Sequence, residues 1–142
     1  SLTVFVLDFS GSMQGNAEEE LKNAMRVMLD QTLAKRYMLQ ASPKDVFIVV
    51  PFDSQTRWVK KVEGNDQNKL MELWQAVARE KANNGTDIYS PVIAALPEIR
   101  KYNYENYSTS VILMTDGKSD GSFDSLKQSL AAQALTGMPV YS

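Results

Sequence analysis

The sequence predicts an α/β protein: a doubly wound, mostly parallel sheet with one antiparallel edge strand and helices on both faces. Three observations predict it. Short valine-rich apolar runs recur along the chain, and two of them end in an aspartate, in "VFVLD" and "VILMTD". Between such runs lie longer segments whose apolar residues return every three or four positions. One segment, Arg57–Val62, instead sets Trp58, Val59 and Val62 among Arg57, Lys60 and Lys61, as expected of a charged sheet edge.

The first run, Leu2–Leu7, has the continuous apolar character of a strand covered on both faces, and Asp8 ends it. From about Ala17 to Leu39 the spacing of Leu21, Ala24, Met25, Met28, Leu29 and Leu33 predicts one long amphipathic helix, its methionines serving as core filler. Asp45–Phe52 predicts a second buried strand, joined to the Arg57–Val62 edge strand by Asp53–Thr56, a link short enough for a hairpin. Asp53 and Ser54 could line a crevice at the strand end, but turn chemistry is the favoured reading. A second helix over Asp66–Lys81 rests on Leu70, Leu73, Trp74, Val77 and Ala78; Trp58 and Trp74 read as packing residues.

After the polar loop "NNGTD", Ile88–Tyr102 is helical in pattern, with Pro91 suited to a first turn and Pro97 kinking or restarting the helix. Val111–Met114 forms the next buried strand and leads to Asp116. Ser122 caps a last helix carrying Phe123, Leu126, Leu130, Ala134 and Leu135, Gly137 ends it, and Met138–Tyr141 begins one more strand.

Composition excludes several functions. A chain of 142 residues that is 44% hydrophobic is expected to form one domain, residues 1–142, and a serine start inside a strand-like run points to an excerpt from a longer protein. With 15 basic against 17 acidic residues and no long run of either sign, nucleic acid is not an expected partner. No apolar stretch reaches the roughly 20 residues that span a bilayer, so this domain is not expected to insert directly in a membrane. Cysteine is absent, which removes disulfides and thiolate sites. Histidine is absent too, which removes Ser-His-Asp hydrolysis and almost every zinc site. A metal bound here must be held by oxygen.

In an open parallel sheet, ligands gather at the carboxyl ends of the strands. Asp8 and Asp116 both follow predicted strands, and if those strands are neighbours the two carboxylates share one crevice. Gly11 permits the turn that would aim Ser10 and Ser12 at the same centre, and the "NGTD" loop adds Thr86 and Asp87. Lys118 is a candidate partial counter-ion. Two carboxylates, three hydroxyls and water make a hard donor set that suits Mg²⁺ or Mn²⁺ better than soft metals. Taken alone, "DFSGS" fits either metal binding or ordinary turn chemistry. It is the coincidence of "DFSGS", "NGTD" and "MTDG" in the predicted topology that favours the metal.

These three segments carry a family resemblance. The chain resembles the von Willebrand factor type A domain family, and "DFSGS", Thr86 and Asp116 look like its complete metal-ion-dependent adhesion site. The resemblance implies a Rossmann-like fold and a divalent ion, Mg²⁺ or Mn²⁺ rather than Ca²⁺, held by Asp8, Ser10, Ser12, Thr86 and Asp116. By the same likeness the two serines coordinate directly, the aspartates act directly or through water, and Thr86 changes its mode with ligand state. The implied function is adhesion or assembly: another protein presents an Asp or Glu side chain at the open metal position, and the domain itself is not an enzyme. The wording "LDFSGSM" is similar to bacterial members, which favours an extracytoplasmic or cell-surface setting. Family domains usually continue past the position of Met138–Tyr141 into a further helix, so an excised or C-terminally truncated domain is expected, and regulation by movement of that helix is in doubt.

Three alternatives compete with this reading. A non-catalytic subunit working with an ATPase, such as a metal chelatase, would keep the same site and grip a partner subunit. A Mg²⁺-dependent aspartate-nucleophile phosphatase would also place an Asp after the first strand, but it needs a second acid where this chain has Ser10. A calcium loop in "DGKSDGSFDSLK" fails because Lys118 and Lys127 stand where oxygen donors are required, leaving Asp120 and Asp124 as rim or helix-start residues.

Overall fold

A computed structural model of the chain describes residues 1–84, 109–115 and 140–141. Its strands are β1 (Leu2–Asp8), β2 (Val46–Phe52), β3 (Lys60–Glu63), β4 (Thr109–Met114) and β5 (Val140–Tyr141), arranged β3-β2-β1-β4-β5. β1 pairs in parallel with β2 and β4, β4 pairs in parallel with β5, and β3 alone runs antiparallel, on β2. The predicted architecture is the one observed. The segments predicted as helices over 88–102 and 122–135, with the loops around them, lie outside the described residues.

The continuous apolar runs are explained by their place at the centre of the sheet. Every residue of β2 is buried, and so is all of β1 except half-buried Thr3. Phe5, Leu7, Phe47 and Val49 turn to one face, where α1 (Asn16–Leu29) and α3 (Gln67–Ala78) cover them. Phe5 and Phe47 stack there with ring centroids 6.2 Å apart. Val4, Val6, Ile48 and Val50 alternate with these and are buried as well, so both faces are covered. β3 buries Val62 but exposes Lys60, Lys61 and Glu63, which discourages further strand addition at that edge.

Two predicted boundaries are corrected. The long helix from Ala17 to Leu39 is divided into α1 and α2 (Gln31–Arg36) at Asp30, whose extended backbone ends one helix while its carboxylate caps the next by accepting the Thr32 N–H at 3.1 Å. α2 then ends well before Leu39, with Met38 in the left-handed region at φ 58°. In α1 the buried stripe is Leu21, Met25 and Leu29, with Met28 packed against it, whereas Ala24 faces solvent. The edge strand starts at Lys60 rather than Arg57, because the turn after β2 engages Arg57 elsewhere.

Helix α3 begins on Asp66, whose side chain accepts from the N–H groups of Asn68 and Lys69 at 2.9 and 3.3 Å. Asp66→Ala should cost about 1 kcal/mol, the usual value of such a cap. Urea denaturation monitored by circular dichroism would measure it; an unchanged midpoint would show that the cap contributes nothing. Leu70, Leu73 and Val77 face the core, and Trp74 and Trp58 pack against it as predicted. Beyond Ala78 the chain leaves the helix and runs back to the carboxyl edge of the sheet. Among the described residues no helix is long and apolar enough to cross a membrane.

Candidate metal centre

Asp8 is the last residue of β1 and is fully buried. Its two oxygens are held separately: Oδ1 accepts the backbone N–H of Ser10 at 2.9 Å, and Oδ2 accepts the hydroxyl of Thr115 at 2.5 Å. The first bond is the local turn chemistry expected of an aspartate at a strand end. The second is long-range, and it brings the exit of β4 to the exit of β1. Among the described residues each oxygen accepts one bond, and no lysine or arginine forms an ion pair with this carboxylate.

After Asp8 the backbone enters a single 3-10 turn, Gly11–Met13, in which Ser10 is buried and Ser12 exposed. Their hydroxyl oxygens lie 3.2 Å apart. At this separation the two hydroxyls share a hydrogen bond, which leaves both oxygens on one side of the turn. Gly11 is needed for clearance more than for the turn. Its N–H donates to the Asn84 carbonyl at 2.9 Å, and a Cβ at this position would sit 3.2 Å from that same oxygen. Gly15, at φ 90°, is where left-handed backbone leads into α1.

Asp8, Ser10 and Ser12 therefore lie together in one loop at the end of β1. Thr86 and Asp116, with Asp87, Lys118, Asp120 and Asp124, lie outside the described residues. Among the described residues no three His, Cys, Asp or Glu side chains cluster as metal ligands, and the carboxylate in this corner is supplemented by hydroxyls. The donor chemistry fits a hard divalent cation: all oxygen, one buried acid with no basic partner among the described residues, and two adjacent hydroxyls.

For the neighbouring Asp53 and Ser54 the sequence favours turn chemistry over lining the crevice. Asp53 does make the turn, accepting the Gln55 N–H at 2.9 Å, but it also accepts from Arg57 Nε at 3.2 Å and from the Asn84 side-chain amide at 3.1 Å. An aspartate four positions before an arginine across a tight turn was the available signal. Burial pushes the Asp53 carboxyl up, but the bonds from Gln55 and Asn84 and the Arg57 guanidinium outweigh it and hold it below the ordinary 3.8. A depressed folded value stabilises the protein above the unfolded value, and that contribution fades as pH falls through the folded one. Asp53→Asn, which turns an amide towards Arg57 and Asn84, should lower stability at pH 7 and narrow the gap between pH 7 and pH 3. Urea melts at the two pH values would show it; an undiminished gap would rule out Asp53 as a contributor.

Comparison with known proteins places this geometry. Inter-alpha-trypsin inhibitor heavy chain H4 from Bos taurus is 28% identical over 120 residues, covering 80% of this chain and 12% of that protein. The chain thus spans a small part of the curated relatives it matches. Among solved structures, a von Willebrand factor type A protein from Catenulispora acidiphila superposes with a TM-score of 0.74 at 20% identity, covering 99% of this chain and 32% of that one. BatB from Bacteroides thetaiotaomicron superposes with a TM-score of 0.67 at 18% identity, covering 98% and 63%. The family model described as the von Willebrand factor type A domain matches residues 3–118, and the chain belongs to that family.

Proposed function

We propose that this domain binds a partner protein through a divalent ion, Mg²⁺ or Mn²⁺, held by Asp8, Ser10, Ser12, Thr86 and Asp116, with an Asp or Glu of the partner completing the shell. Domains of this family generally mediate protein–protein interactions. The observation that carries the metal reading is convergence at the first loop. Asn84, two positions before Thr86, is hydrogen-bonded to Gly11, and Thr115, immediately before Asp116, is hydrogen-bonded to Asp8. The chain thus delivers the segments leading to both remaining ligands to the corner where Asp8 and the serines meet.

The ion supplies a Lewis-acidic position that attracts a carboxylate. The protein's part is to bury Asp8, space the two hydroxyls and leave the Ser12 side facing solvent. Two carboxylates only just balance a divalent ion, so an added acidic side chain is accepted rather than repelled. The chain lacks histidine, and Ser10 stands where an aspartate-nucleophile phosphatase has its second acid, which favours binding over that chemistry. A binding role, in an extracytoplasmic or cell-surface setting, is the reading we adopt.

Calorimetric titration of Mg²⁺ and Mn²⁺ into the wild type and Asp8→Ala should give saturable heats in the wild type alone. Indistinguishable heats in the two proteins would remove the site. Partner capture should be lost in EDTA and return with Mg²⁺, and capture that ignores chelation would separate binding from the metal.

A further inference from the structure

We infer that Arg57 is a positioning residue for this centre, clamping the segment that leads to Thr86 against the Asp8–Ser12 loop; this rests on the metal reading above. The Arg57 side chain is only 14% exposed, and its guanidinium reaches three separate parts of the chain. Nε donates to Asp53 in its own turn at 3.2 Å. Nη2 donates to the Phe9 carbonyl at 3.1 Å, inside the first loop, and to the Asn83 side-chain oxygen at 2.7 Å. Nη1 donates to the Lys81 carbonyl at 2.8 Å and lies 3.5 Å from Glu80. The guanidinium carbon stands 5.5 Å from the centroid of the Phe9 ring.

These contacts have a common consequence. The Phe9 carbonyl accepts from Arg57 and also from the Asn83 N–H at 2.8 Å, so one oxygen ties the first loop to both the hairpin turn and the second loop. Asp53, oriented by Arg57, holds the Asn84 side chain, while the Asn84 carbonyl receives the Gly11 N–H. Asn83 and Asn84 are exposed and lack core packing of their own, so polar bonds must set their position. A guanidinium suits this task because its donors are fixed in one plane and can serve divergent acceptors together. An ammonium has the charge without the fork. Asp8 makes no ion pair with Arg57, which leaves the carboxylate to a metal while the arginine orders the surrounding loops.

A purely structural role would hold the β2–β3 turn to α3 and leave the metal loops unaffected, and hydrogen exchange separates the two. In metal-free protein, Arg57→Ala should speed exchange of the Gly11 and Asn83 amides about tenfold or more, while the Val4 and Val6 amides of β1 keep their wild-type rates. Arg57→Lys should preserve overall stability yet leave most of that acceleration in place. Both variants should raise the Mg²⁺ Kd by roughly tenfold, at a temperature where each is fully folded, as loss of a pre-organised ligand set requires. Wild-type exchange at Gly11 and Asn83 in Arg57→Ala, or complete recovery by lysine, would overturn the inference. If Arg57→Ala does not fold, Arg57→Lys decides by the same amides. If the wild type takes up no Mg²⁺, it is the metal reading that falls, and the exchange rates still decide whether Arg57 clamps the loops.

Discussion

Asp8→Asn should abolish stabilisation by Mg²⁺ while leaving the metal-free protein at least as stable as the wild type. The opposite signs come from one feature: Asp8 is fully buried and has no basic partner among the described residues. A buried charge without a counter-charge is costly, and an amide of nearly the same shape removes that cost. Asparagine keeps an oxygen to accept the Ser10 N–H, and the Thr115 hydroxyl can rotate to accept from the new amide. With metal present the balance reverses. Mass action at a hundredfold excess over Kd is worth about 2.7 kcal/mol, and the wild type alone should gain it. Thermal melts with and without Mg²⁺ measure both terms, and an equal gain in the two proteins would show that the ion binds elsewhere.

Phe9→Ala should cost about 3–5 kcal/mol, the range for removing a buried aromatic side chain. Phe9 lies between Asp8 and Ser10 in the chain, and its side chain is fully buried in the cluster beneath α1 and α3. The Lys22 ammonium, 6.0 Å from the ring centroid, and the Arg57 guanidinium lie over the ring, so the substitution removes their attraction as well. Such a loss is a large share of the roughly 5–15 kcal/mol that stabilises a typical domain. Urea denaturation should show the midpoint falling sharply, with Phe9→Leu losing much less. A loss below 1 kcal/mol would mean that the ring is not packed as described.

The parallel strands were legible because central strands covered on both faces can hardly be anything but continuous apolar runs; β1 and β2 are of that kind, and β4 keeps the apolar run although only Val111 and Leu113 in it are buried. The split at Asp30 was hidden because the helical period continues through it: Leu29 and Leu33 keep their spacing although the backbone at Asp30 is extended. A capping aspartate followed by Gln31 and Thr32 was the local sign, outweighed by the pattern around it. At the site, Asp8, Ser10 and Ser12 were legible because strand-end position and residue type coincide. Arg57 was not: its bond to Asp53 is local, but two of the acceptors that tie the loops together are backbone carbonyls 24 and 48 positions away, which carry no sequence identity.

The strand order has a kinetic consequence. Leu2 pairs with Val46 on one side and with Thr109 on the other, so the strand bearing Asp8 draws its neighbours from distant parts of the chain. β1, β2, β3, α1 and α3 can come together within the first part of the sequence, whereas the Thr115–Asp8 bond must close a span of 107 positions. Closing so long a loop is entropically expensive and late. An early intermediate would thus own the hydroxyl pair and the buried acid but lack the β4 side of the corner. On the metal-site reading, ion uptake therefore waits until the far strand has docked beside β1.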